Sequence, residues 1–242
     1  LIRELSQDYR CIAVDHLGFG LSDKPKAADY APKAHAERLE QLITHLQLKD
    51  INLLVHDFGG PIGLSYALHK PENISKVIIL NTWMWSLNDY PEIAKGAKIA
   101  GSWLGKLLYR YFNFSPKVLV KQAFHDKSKL TKEVHRHYTE VFPDTSSRSA
   151  PYAFAQHLLA SRDWYDQLWK KREVLQKQEV MILWGQKDPL LPYALLQRWK
   201  KTLPAAEVHE LQAGHFVQEE KPEEAASFIR QFLSKGVKEG QH

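Results

Sequence analysis

The chain has one cysteine, Cys11, so it can form no intrachain disulfide and no multi-thiolate metal site. Cys11 lies in an apolar run (YRCIAV) and reads as a buried structural thiol of a reducing compartment, which makes the expected location cytoplasmic. No run approaches the roughly 18 apolar residues of a membrane-spanning helix. No signal-peptide pattern, Cys/His zinc spacing, internal repeat or low-complexity tract is visible. Excess charge is also scarce: 33 Lys and Arg oppose 28 Asp and Glu, a net +5. The cations look scattered, with small clusters at Lys170-Lys171-Arg172 and near the C-terminus, and read as solvated faces. These absences leave nucleic acid, membrane, metal and cofactor unexpected as partners. What is present is 242 residues with 44% hydrophobic content, enough for one domain with a sizeable core and room for an insertion.

The chain is organised around residues 51–63, INLLVHDFGGPIG. Ile51, Leu53, Leu54 and Val55 form an apolar run into His56-Asp57-Phe58-Gly59-Gly60, and a helical pattern starts at Pro61. A buried parallel strand that turns sharply into a helix is written this way. Gly59 and Gly60 would permit the tight turn and close helix–strand approach, and Pro61 suits a first helical turn. Asp57 would then stand above the C-terminal sheet edge, next to a positive helix end that keeps its carboxylate ionised and exposed. The alternative is that Asp57 is only the helix N-cap.

Around this pivot the chain alternates. Residues 9–14 read as a strand, followed by the glycine-containing loop DHLGFGLSDKP (15–25). Gly18-Phe19-Gly20 lacks the third glycine and helix start of a dinucleotide fingerprint. Residues 34–48 have helical spacing, and residues 73–80 form a strand ending in Asn81-Thr82-Trp83-Met84-Trp85. From 84 to 170 no strand pattern appears. This aromatic-rich stretch reads as a helical cap over the sheet's edge, most of its aromatics forming the cap's own core. Strands return at 180–184 and 207–211, with helices at 194–201 and 222–233 and a polar, frayed tail from Ser234. The expected organisation is a mostly parallel wound α/β sheet: core residues 1–83, cap 84–170, core 171–242.

Asp57, Asp188 and His215 each follow an expected strand, at the edge where wound sheets bind ligands. Separately they could be a cap, a turn residue and a loop histidine. Together they have the order nucleophile, acid, histidine. With DHLGFGLSDKP, VHDFGGPIGL, LNTWMW, WGQKDP and AGHFVQEEKP, the sequence resembles the haloalkane dehalogenase and epoxide hydrolase branch of the α/β-hydrolases, the dehalogenases above all. The resemblance implies an α/β-hydrolase fold and cleavage of carbon–halogen bonds without cofactor, with a small apolar organic substrate and water as reactants. Asp57 would form an ester, His215 would activate water, and Asp188 would orient His215. The Phe58 N–H would serve the oxyanion.

Two departures follow from the resemblance. The family carries Trp after the nucleophile to bind halide, whereas Phe58 has no polar N–H, so Trp83 or Trp85 are candidates to replace it or simply pack between sheet and cap. The family's HG-x-P loop and N-terminal strands have no counterpart, since the chain opens at Leu1 in what looks like a helix end. A fragment is therefore expected, poorly stable and weakly active alone. The alternatives are an epoxide hydrolase with the same triad, using acids from among Tyr90, Tyr109, Tyr111, Tyr138, Tyr152 and Tyr165, and a non-catalytic binder on a hydrolase scaffold.

Overall fold

The computed structural model describes residues 1–235. Four parallel strands form one sheet in chain order: β1 (Ile51–Asp57), β2 (Ile74–Thr82), β3 (Glu179–Gly185) and β4 (Glu207–Leu211). Helices α1 (Ile2–Leu5) and α2 (Pro32–His45) precede β1, and α3 (Gly59–His69) joins β1 to β2. Between β2 and β3 the elements are helical: α4 (Pro91–Gly101), α5 (Trp103–Phe112), α6 (Val120–Ala123), α7 (Lys132–Thr139), α8 (Ser149–Ala160) and α9 (Arg162–Lys170). Then α10 (Tyr193–Thr202) joins β3 to β4, and α11 (Val217–Glu220) and α12 (Pro222–Ser234) follow.

The sheet is covered on both faces, and strand alternation divides the core accordingly. Val77, Ile79, Val180, Ile182 and Trp184 meet α3 and α10 through Leu64, Ala67, Leu196 and Trp199. Ile78, Leu80, Met181 and Leu183 meet α1 and α12 through Leu5, Ala226, Ile229 and Phe232. The central runs Val77–Leu80 and Val180–Trp184 are apolar on both sides because neither face sees water.

The turn after β1 is as tight as the residues require. Asp57 has φ +49°, a conformation costly for a side-chain-bearing residue, and the Thr82 hydroxyl donates to its carbonyl. Gly60 is the indispensable glycine. A Cβ there would overlap Thr82 Oγ1 and stand 2.7 Å from the Trp83 carbonyl oxygen, whereas a Cβ at Gly59 meets open space. The expectation that both glycines serve close approach is thus corrected to one. Helix α3 begins without a side-chain cap, so Asp57 is not its N-cap.

Residues 9–14 do not form the expected strand. Among the described residues no strand lies alongside to complete a hydrogen-bonded ladder, and Ile12 and Val14 are left exposed. Cys11 is accordingly partly rather than fully buried. Ser234 closes α12; the rest of the expected frayed tail, from residue 236, lies outside the described residues.

At the start of α2, His35 is fully buried among Phe19, Tyr30 and Phe154, and neither ring nitrogen has a partner among the described residues. Burial, then the nearby His16 and Arg38, push its pKa down to about 4.

Two predictions follow from this packing. Gly60→Ala should cost about 1–3 kcal/mol by overpacking, and Gly59→Ala should be close to neutral; paired thermal melts check the contrast. Because folded His35 resists protonation to about pH 4 while the unfolded chain protonates near 6.5, stability should fall as pH drops through that window. The loss should approach ~3 kcal/mol, and His35→Phe should flatten it in urea titrations at stepped pH.

Candidate active site

The C-terminal ends of β1, β3 and β4 bring Asp57, Asp188 and His215 together. His215 Nδ1 lies 2.7 Å from Asp188 Oδ2, and the two side chains are only 2% and 1% exposed. An ionised carboxylate only accepts, so Nδ1 carries the proton and Nε2 presents its lone pair. Nε2 stands 3.9 Å from Asp57 Oδ1, beyond hydrogen-bond range, and is not consumed by that carboxylate.

Asp188 is held on all sides. The Leu190 and Leu191 N–H groups donate to Oδ1 at 2.7 and 3.1 Å, and Asn81 Nδ2 donates to Oδ2 at 2.8 Å. Burial works to raise its pKa, but His215, by charge and hydrogen bond, and the Leu190 and Leu191 N–H groups outweigh it, leaving the acid below the ordinary carboxylate value. Burial likewise works to lower the His215 pKa, and Asp188 more than reverses this, so the imidazole ends above 6.5.

Asp57 departs from expectation in one respect. Its side chain is 42% exposed, yet the surrounding protein desolvates it enough to raise its pKa despite the opposing His215 charge and Phe58 N–H. Asp188's negative charge adds to the rise, so the helix end does not prevail.

The aromatic candidates separate. Phe58 lies between Trp83 and Phe154, at ring separations of 5.0 and 4.5 Å. The indole N–H groups of Trp83 and Trp85 are both buried and have no partner among the described residues. Trp85 instead joins a distinct stack, 4.8 Å from Trp169 and 4.9 Å from Trp199, under the Arg198 guanidinium. Of the tyrosines, Tyr165 donates to the His157 carbonyl, Tyr152 to the Gly101 carbonyl and Tyr138 to Glu219. Two surface cavities of about 600 and 860 Å³ are lined by none of the triad. Among the described residues no group of His, Cys, Asp or Glu is arranged for a metal, and no helix is long and apolar enough to cross a membrane.

Three supporting residues escaped the sequence reading. Asn81 is fully buried at the end of β2; besides Asp188 it binds the Gly185 N–H at 2.7 Å, linking β2 to β3. Glu220 accepts the N–H groups of Gly214, His125 and Asp126, pinning the His215 loop to the helical segment. His56 Nε2 donates to the His215 carbonyl at 2.9 Å, and burial first, then the His215 charge, lowers its pKa to about 3. A buried polar residue closing an apolar strand run was the available signal for Asn81; for Glu220, whose partners lie up to 95 residues away, there was none.

The family profile of the alpha/beta hydrolase fold matches residues 1–222, and the chain belongs to that family. Within that family of enzymes it is similar to oxetan-2-one decarboxylases and to haloalkane dehalogenases. A cis-3-alkyl-4-alkyloxetan-2-one decarboxylase of Shewanella oneidensis is 32% identical over 245 residues, spanning 97% of this chain and 76% of the relative. Haloalkane dehalogenase 2 of Mycobacterium tuberculosis is 29% identical over 238 residues, spanning 96% and 82%. The crystal structure of the haloalkane dehalogenase DatA of Agrobacterium tumefaciens superposes with a TM-score of 0.79 at 24% identity, covering 90% of this chain and 78% of that one.

The electrostatics of the buried pair can be measured directly. The His215 imidazole should titrate above pH 6.5 by NMR, and Asp188→Asn, which removes the charge but keeps a polar partner, should bring it below that value.

Proposed function

We propose that the chain uses Asp57 as a carboxylate nucleophile on an sp3 carbon, and that the bond it breaks is carbon–halogen. The position of Asp57 carries this reading. It sits at a strained strand–helix turn, it does not cap the helix, and it faces a histidine whose other nitrogen is fixed on a buried acid. A carboxylate needs no base to become nucleophilic. Asp57 displaces the halide and becomes an ester. His215 Nε2 takes a proton from water as that water adds to the ester carbonyl, and Asp188 stabilises the imidazolium. The Phe58 N–H, which helps to hold down the Asp57 carboxyl pKa, is one oxyanion donor. Collapse of the tetrahedral intermediate releases the alcohol and regenerates Asp57.

The departing halide needs stabilisation that Phe58 supplies only through its ring edge. A missing donor of this kind costs on the order of 3 kcal/mol. The Trp83 indole N–H is assigned that role because its ring packs against Phe58; Trp85, whose N–H is equally unpaired, lies in the Trp169–Trp199 stack and is assigned to packing. Residues 84–170 are assigned as a lid over the strand ends, between core segments 1–83 and 171–242. The epoxide alternative loses Tyr138, Tyr152 and Tyr165, whose hydroxyls are engaged, but keeps Tyr109, a buried tyrosine within reach of the Asp57 charge.

A second reading is favoured by Phe58 together with the relative that acts on oxetan-2-ones. A strained lactone carries its own leaving group and depends less on a halide site. Attack by Asp57 at the sp3 ring carbon bonded to the ring oxygen would break that carbon–oxygen bond and open the ring to a carboxylate. Loss of CO2 would then form the alkene and return the ester oxygen's electrons to Asp57, consuming no water.

The products separate the two. With a bromoalkane, wild-type protein should release bromide and alcohol, and His215→Phe should accumulate an alkyl ester on Asp57, seen by mass spectrometry. An alkene and CO2 from a dialkyl oxetan-2-one, without bromide release, would move the assignment to the second reading. Undiminished turnover in Asp57→Asn would refute both.

A further inference from the structure

The cations are less evenly scattered than the sequence reading held. Residues 93–125 contain six, Lys95, Lys98, Lys106, Arg110, Lys117 and Lys121, and not one Asp or Glu. Their six positive charges exceed the whole chain's net +5. All six side chains are exposed, and none forms an ion pair among the described residues.

The same segment exposes its apolar side chains. Helix α5 buries only Gly105 and Tyr109, and Ser102 caps its N-terminus. At 100° per residue, Trp103, Leu104, Leu107 and Tyr111 fall on one outward arc, while Lys106 and Arg110 border its edge. Trp103 is 75% exposed, and Ile99 at the end of α4 and Phe112 extend the patch. Helix α4 anchors the hairpin by burying Ile93, Ala94 and Ala97 on the side that packs with α8. An amphipathic helix that turns its aromatic and leucine face outward, with cations at its margin and no acid of its own, matches what lies in a lipid interface; the hairpin's one acid, Glu92, opens α4 at the end opposite Ile99.

We propose that the α4–α5 hairpin docks this protein onto an anionic phospholipid surface, with Trp103 and Leu107 entering the headgroup region and the lysines and Arg110 pairing with lipid phosphates. Four cations against one acid in the hairpin select an anionic partner, and the apolar arc favours a bilayer over nucleic acid, whose backbone gives leucine and tryptophan nothing to enter. This differs from a membrane-spanning segment, and it revises the expectation of no membrane partner, which rested on the absence of a span. The surface is independent of the Asp57 chemistry.

The test is co-flotation with vesicles of phosphatidylcholine, with and without phosphatidylglycerol, at low and high salt. Binding should require the anionic lipid and weaken with salt. Lys106→Glu/Arg110→Glu should reduce it by at least roughly fivefold per cation. Trp103→Ser/Leu107→Ser should abolish it without moving the thermal melt. In wild-type protein, brominated lipid should quench the exposed Trp103, read as the difference from Trp103→Phe; this holds even if a double variant folds poorly. No binding to anionic vesicles, or binding that survives both double variants, would overturn the proposal. So would self-association through this face, seen by sedimentation as a dimer dissolved by Trp103→Ser/Leu107→Ser with vesicles unbound. Salt-sensitive binding to duplex DNA but not to vesicles would overturn it as well.

Discussion

The contact between Asp188 and His215 governs the rest of the site. Two ionisable groups almost wholly removed from water are tolerated only if each satisfies the other and the remaining lone pairs find donors. That requirement reaches into three strands. Asn81 brings the end of β2, the Leu190 and Leu191 N–H groups bring the loop after β3, and His215 brings the loop after β4. The loops can come this close because Gly185 carries no side chain; a Cβ there would overlap the Gly214 carbonyl oxygen. The pair therefore binds the C-terminal sheet edge together as well as orienting an imidazole.

Asp57 is held by a different means, through the backbone. Its positive φ is sustained by the Thr82 hydroxyl on its carbonyl and by Gly60 fitting against Thr82 and Trp83. Both neighbours belong to the β2 end that also supplies Asn81. One short stretch, Asn81-Thr82-Trp83, thus supports the acid, the strained turn and the aromatic wall beside it. Displacing the end of β2 would disturb all three, although none of its residues belongs to the triad.

Much of this was legible in the sequence, and for identifiable reasons. The apolar runs of β2 and β3 and the paired glycines after Asp57 are local signals, and local signals survive in one dimension. Residues 9–14 show the limit, since an apolar run becomes a strand only beside another strand, and that is a property of the neighbourhood. The raised pKa of Asp57 was hidden for a similar reason: a helix end can be inferred from order, but desolvation by distant segments cannot. Glu220 looked like one acid among several before the last helix; only folding reveals three backbone N–H groups converging on it. The acid-free stretch at 93–125 was always visible, but its meaning depended on which face of α5 turns outward.

Strand β1 pairs on one side only among the described residues, and Asn52 and Leu54 on it are exposed. Its outer row of N–H and C=O groups is therefore a template of fixed register. A foreign strand zipping onto it would lie directly beside the stretch that carries Asp57, with no buffering strand between. Whatever strand pairs along this edge would therefore be the immediate neighbour of the strained turn at Asp57.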